Sequence, residues 1–154
     1  MPHASPAGFQ HGITLDAARR IADATLAKGR EIGLAPLTVV VLDAAGREKV
    51  VLREDGSSLL RPEIARGKAY GSLGLGYGSR ELARRAQAVP GFTTALTVIS
   101  DGAVPAAGGV LIRDAAGAVL GAVGVSGDLS DKDEVCAVAG IQAAGLQPDT
   151  GDPA

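Results

Sequence analysis

Residues 37–52, LTVVVLDAAGREKVVL, decide the fold. Leu37 to Leu42 is β-branched and almost continuously apolar, Asp43-Ala44-Ala45-Gly46 puts Asp first and Gly last as a type I turn prefers, and Lys49 to Leu52 resumes the strand. This is a β-hairpin. The device returns at residues 110–125, VLIRDAAGAVLGAVGV, where the same tetrapeptide, Asp114-Ala115-Ala116-Gly117, joins two further apolar runs. The flanks differ, so turn chemistry recurs rather than a solenoid unit.

Helical signals surround the hairpins. Thr14 is a candidate N-cap, and Leu15, Ala18, Ala22, Leu26 and Ile32 recur near helical spacing up to Gly33, which stands before Pro36. Pro62 suits the first position of a second helix reaching about Gly76, and Ser79 is placed to cap a third through Val89, closed by Pro90. Thr93 to Ile99, TTALTVI, reads as a short strand. Ser130 with Asp131, Asp133 and Glu134 opens a last helix that ends near Ala144-Gly145. The expected order is αββααβββα, an α+β domain with a five-stranded, mainly antiparallel sheet flanked by helices. Residues 1–12 read as a flexible arm, 13–146 as a single domain and 147–154 as a tail.

Composition removes several function classes. The chain has 154 residues, room for one core, and is 46% hydrophobic but only 3% aromatic. A net charge of −2 without a basic run argues against nucleic acid, and no apolar stretch approaches the ~20 residues that cross a bilayer. A soluble protein is expected. Cys136 is the single cysteine, which excludes an internal disulfide and a cysteine-based metal site and makes the cytoplasm the default location. His3 and His11, the two histidines, both precede the first periodic segment.

Five stretches together resemble a known family: Val41 to Gly46, Ala65-Arg66-Gly67-Lys68-Ala69, Pro105-Ala106-Ala107-Gly108-Gly109-Val110-Leu111-Ile112, Gly121-Ala122-Val123-Gly124-Val125-Ser126-Gly127, and Asp133-Glu134. The chain is similar over residues 13–146 to the GlcG/HbpS family, the haem-degrading or DUF336 domain, found alone, in glycolate-utilisation operons and as the C-terminal half of PduO-type cobalamin adenosyltransferases. The resemblance implies a five-stranded antiparallel sheet with flanking helices, assembly into homo-oligomers, and haem or corrinoid-related binding in some members.

Each motif has a functional and a structural reading. Gly121, Gly124 and Gly127 end a strand before a helix, where their amides could cradle a carboxylate or simply allow close packing. Ser126 is no nucleophile elbow, and no Lys-Ser/Thr follows to make a phosphate loop. Lys68 stands beside a stripe of Gly67, Gly71, Gly74 and Gly78, which needs the close approach of a helix, a subunit or a flat ligand. Its ammonium could meet a ligand carboxylate or reach solvent. Asp43 could serve its turn, as Asp114 suggests, or move a proton. Asp128, Asp131, Asp133 and Glu134 could cap the last helix or supply an acid, a base or a ligand contact. For haem iron the candidates are His11 first, then His3, Tyr70, Tyr77, Cys136 and Met1.

Three functions follow from these readings. One is a ligand-binding protein, for haem or a similar flat carboxylated molecule, with Lys68, Tyr70, Gly108, Gly109, Gly124, Ser126, Gly127 and Asp133 lining a groove at or near a subunit interface and His11 on the metal. The second is a cofactor-independent enzyme acting on a small organic acid, with Lys68 as anchor, the Gly108-Gly109 and Gly124–Gly127 amides on an oxyanion, and Glu134 or Asp43 moving a proton. The third is an oligomeric scaffold.

Overall fold

The two Asp-Ala-Ala-Gly turns join antiparallel strand pairs, β1 (Thr38–Asp43) with β2 (Glu48–Arg53) and β3 (Gly109–Arg113) with β4 (Val119–Ser126). Their aspartates act alike: Asp43 accepts the Ala45 and Arg47 amides at 2.9 and 3.1 Å, and Asp114 those of Ala116 and Ala118 at 2.9 Å. The computed structural model, which describes residues 12–152, places these strands with β5 (Gln147–Asp149) in one antiparallel sheet of order β2-β1-β4-β3-β5. The helices are α1 (Leu15–Glu31), α2 (Arg61–Leu75), α3 (Ser79–Ala88), α4 (Pro90–Ile99) and α5 (Ser130–Ala143).

Strand alternation divides the core. Val39, Val41, Val110, Ile112, Val123 and Val125 face α1 and α5, whose Ile21, Ala22, Cys136 and Ile141 close the larger cluster. Val40, Leu42, Leu111 and Ala122 face α2, which contributes Ala65 and Ala69. The sheet is therefore covered on both sides, and β1 is buried throughout. Small residues let α2 approach with its backbone. A Cβ on Gly124 would overlap the Ala65 carbonyl, and one on its register partner Gly109 would overlap the Lys68 carbonyl.

The α+β class and the antiparallel five-stranded sheet stand as expected, whereas the element order is αββαααββαβ. Thr93 to Ile99 is helix, not strand. Pro90 occupies the first helical turn, and the threonine hydroxyls that suggested a strand turn back on the helix, Thr94 to the Pro90 carbonyl at 3.1 Å and Thr97 to that of Thr93 at 2.8 Å. The fifth strand comes from Gln147–Asp149, in the segment expected to be a tail, and Arg113 holds it through Asp149 at 2.8 Å. Ser79 does not cap but is the first residue of α3, after Gly78, whereas Ser130 opens α5 as expected. Tyr70 lies on α2, whereas Tyr77 lies beyond its end at Leu75.

Candidate functional site

Lys68 leaves α2 on one face of the sheet and ends among residues of the other. Its Nζ donates to the Val125 carbonyl at 3.0 Å and to Asp133 Oδ2 at 3.1 Å, in the first turn of α5. It is 2% exposed and Asp133 fully buried, so the ammonium reaches neither solvent nor a groove. Asp133 Oδ1 accepts the Asp128 amide at 3.0 Å, which ties the turn before α5 to the same carboxylate. Gly108, at φ +118°, covers the ammonium, and a Cβ there would stand 3.0 Å from Nζ. Burial pushes the Lys68 ammonium below its ordinary pKa and the Asp133 carboxyl above its own, each against the pull of the opposite charge.

The same strand ends bring Gly109, Gly124, Ser126 and Gly127 near this pair. Space for a ligand at the glycines is already taken by this chain's backbone: the α2 carbonyls at Gly109 and Gly124, and Pro36 and Leu37 at Gly127. Ser126 is buried and accepts Arg61 Nη1 at 3.1 Å. The glycines of α2 are likewise absorbed within the chain, with Gly67 under Val104 and Gly71 under Leu82 and Ala103, whereas Gly78, expected in the same stripe, lies beyond α2 at the start of α3 and packs against Thr150. Only at Gly74 is there open space within that stripe.

Glu134 turns the other way from Asp133. It accepts Arg80 Nε at 2.9 Å and Nη2 at 2.8 Å, and Nη2 also reaches Asp131 at 2.8 Å. Burial raises the Glu134 carboxyl above its ordinary pKa, while its hydrogen bonds with Arg80 oppose that rise and hold the guanidinium firmly charged. Arg80 lines an open groove of about 510 Å³ with Arg84, Pro105, Ala106, Asp131 and Asp152. Its neighbour Ser79 donates to the Ala106 carbonyl at 2.6 Å and accepts the Gly109 amide at 2.7 Å. Sequence reasoning overlooked Arg80 and read Ser79 only as a helix cap. Four acids between Asp128 and Glu134 with Lys132 as their one local base were the signal that a cation arrives from elsewhere.

Asp43 and Tyr70 stand at the opposite end of the sheet. The Tyr70 ring packs on Gly46 of the first turn, and the Arg66 guanidinium lies 4.9 Å above its centroid. Arg66 also pairs with Glu48 at 2.6 Å and Asp101 at 3.0 Å. Tyr70, Gly71, Gly74, Leu75, Leu96 and Ile99 line an apolar trough of about 230 Å³ between α2 and α4. Gly12 packs on Leu120 near this end, where Gly121 pairs with Asp43. His3 and His11 lie outside the described residues. Cys136 is buried between α1 and α5 with its thiol pushed up to about 11, an inert state. Among the described residues no cluster of three or more His, Cys, Asp and Glu could hold a metal, and no helix is long and apolar enough to cross a membrane.

The fold and this arrangement define a three-layer α+β domain, sealed at one end of the sheet by a buried ion pair and open on the α2 layer through an apolar trough. The chain belongs to the family described as haem degrading protein HbpS-like, whose model matches residues 13–142. A 15.0 kDa Citrobacter freundii protein from the dhaT–dhaS intergenic region is 33% identical over 126 residues, which are 81% of this chain and 87% of that one. The crystal structure of HbpS superposes with a TM-score of 0.76 at 31% identity, covering 90% of this chain and 96% of that one. Klebsiella pneumoniae protein ORFY, a DUF336 protein, superposes with 0.78 at 26% identity, covering 92% and 97%. The PduOC:heme complex shares the fold, with a TM-score of 0.78 at 22% identity over 88% of this chain and 96% of that one.

Proposed function

We propose that this chain is a ligand-binding member of the HbpS-like family, taking a flat, carboxylated molecule of the haem class against the Tyr70 trough, between copies of itself. The observation that carries the reading is the trough: an apolar wall with a phenol and a guanidinium stacked at one end. Its volume, about 230 Å³, is below the usual ~300–1,000 Å³ of ligand pockets, so a planar molecule lying there keeps one face for a second surface. Haem, if bound, would supply an iron that a protein side chain could ligate and propionates that need cations. Arg66 suits the second task through the side of its guanidinium turned to Asp101, because that partner is largely exposed and such pairs contribute only ~0–1 kcal/mol, while Glu48 keeps Nε at 2.6 Å. For the first the sequence offers His11, which lies outside the described residues. The family, and a relative by fold that is a heme complex, agree with this ligand class.

The catalytic alternative has less support. Lys68, its carboxylate anchor, is occupied by Asp133, and Asp43 by its own turn. Titration with haemin tests the binding reading. A Soret band that saturates is expected, and Tyr70→Ala should weaken binding by about tenfold through loss of the aromatic face. A wild-type protein that gives no saturable band overturns the reading.

A further inference from the structure

One cleft takes no part in the arrangements described so far. It lies where the first two turns of α2 meet the loop after α4, and its volume of about 380 Å³ falls within the usual ~300–1,000 Å³ of ligand pockets. Leu60, Ile64 and Val104 supply its apolar surface, and Glu63, Arg66 and Asp101 its charged groups. A smaller cleft of about 150 Å³, lined by Val40, Val51 and Pro62, reaches the same Glu63 and Arg66 from the β2 side. Apolar surface therefore flanks Glu63 in both clefts.

The charges of the larger cleft do not balance. Arg66, its one base, is held by Glu48 at 2.6 Å and Asp101 at 3.0 Å, whereas Glu63 pairs with no base among the described residues. The partial positive charge of the α2 N-terminus favours an acid in the first turn, which accounts for the presence of Glu63 but gives its carboxylate no partner. With two acids against one base, the lining carries a net negative charge beside apolar walls. We infer that this cleft takes an organic monocation, an amine on a short apolar chain or ring, with the ammonium on Glu63 and the apolar body on Leu60, Ile64 and Val104. A carboxylated ligand meets the same uncompensated acid, and a bare metal ion needs several oxygen ligands where one carboxylate is free. The apolar body also displaces water from Glu63, and the ion pair strengthens as the local dielectric falls. This goes beyond the haem reading, since the ligand carries the opposite charge.

Titration with n-hexylamine, followed through the methyl signals of Leu60, Ile64 and Val104 by heteronuclear NMR, tests it, with 1-hexanol and hexanoate as probes of the same chain length. Saturating shifts at those three residues are expected. Hexylamine should bind about tenfold more tightly than hexanol, the scale of one charge-assisted hydrogen bond, and hexanoate more weakly than either. Glu63→Gln should bring hexylamine down to the affinity of hexanol and leave hexanol unchanged. Asp23→Asn, which removes the same charge from α1 on the opposite face of the sheet, should change neither. Glu63 is exposed, so its amide variant keeps the fold, which circular dichroism checks. The absence of a saturable shift at the cleft, equal affinities for hexylamine and hexanoate, or a Glu63→Gln protein that binds hexylamine as the wild type does overturns the inference.

Discussion

The ammonium of Lys68 and the carboxylate of Asp133 meet at 3.1 Å although their helices cover opposite faces of the sheet. The contact runs past the end of β4, where the Val125 carbonyl is the second acceptor, and Gly108 is left without a side chain because one would press on the ammonium. It clamps three layers together with one side chain.

Breaking that pair from either side should cost about 3–5 kcal/mol, because the remaining charge stays buried. Lys68→Met and Asp133→Leu are each expected to lose stability on this scale in urea denaturation. The double variant should lose far less than the sum, since both desolvation penalties vanish together. Additive losses would show that the two residues are not coupled.

Alanine at Gly124 or Gly109 must displace the α2 backbone from the sheet, and each variant is expected to unfold at lower denaturant than any surface variant. Gly74→Ala meets nothing within 4 Å and lies inside α2, so it should raise stability by about 0.5–1 kcal/mol. Equal behaviour of Gly74 and Gly124 would refute the contact geometry.

The Asp128 carboxylate accepts the Ala35 amide at 2.9 Å and the Leu129 amide at 2.8 Å, and these bonds hold its pKa below the ordinary 3.8. A carboxyl whose folded pKa is depressed stabilises the fold above its unfolded pKa, and the contribution disappears as pH falls through the folded value. Asp128→Ala should therefore destabilise at neutral pH, and the difference from wild type should shrink well below pH 3.8. Denaturation curves at the two pH values check this; a constant difference would place the effect elsewhere.

On the ligand reading, His11→Ala should lower haemin affinity and move the Soret maximum. Cys136→Ala should do neither, since its thiol is enclosed between α1 and α5. Identical spectra for wild type and His11→Ala would shift the iron ligand to Tyr70, which Tyr70→Phe would then reveal.

Local signals were legible wherever the partners were close in sequence. Both Asp-Ala-Ala-Gly turns close on amides two and four residues away, Thr14 caps α1 through the Ala17 amide at 3.2 Å, and Gly76 ends α2 in the left-handed region at φ +81°. The residues of the candidate site were named more completely than they were placed. Lys68, Gly108, Gly109, Gly124, Ser126 and Asp133 do converge, but around one another, while Tyr70 faces the trough with α4 beside it.

The sequence by itself determined the two hairpins, the first, second, third and last helices, and the near-continuous apolar run of β1, because each rests on side-chain periodicity and turn chemistry within a few residues. Tertiary structure alone decided the rest. Thr93 to Ile99 has the composition of a strand, but the sheet edge beside β3 goes to Gln147–Asp149 and the threonine hydroxyls find acceptors one helical turn back. Lys68 and Asp133 are 65 residues apart, and no local rule states which carboxylate a lysine will meet. That choice follows from two helices packing on opposite faces of one sheet, where a buried ammonium must take the acceptors within its reach.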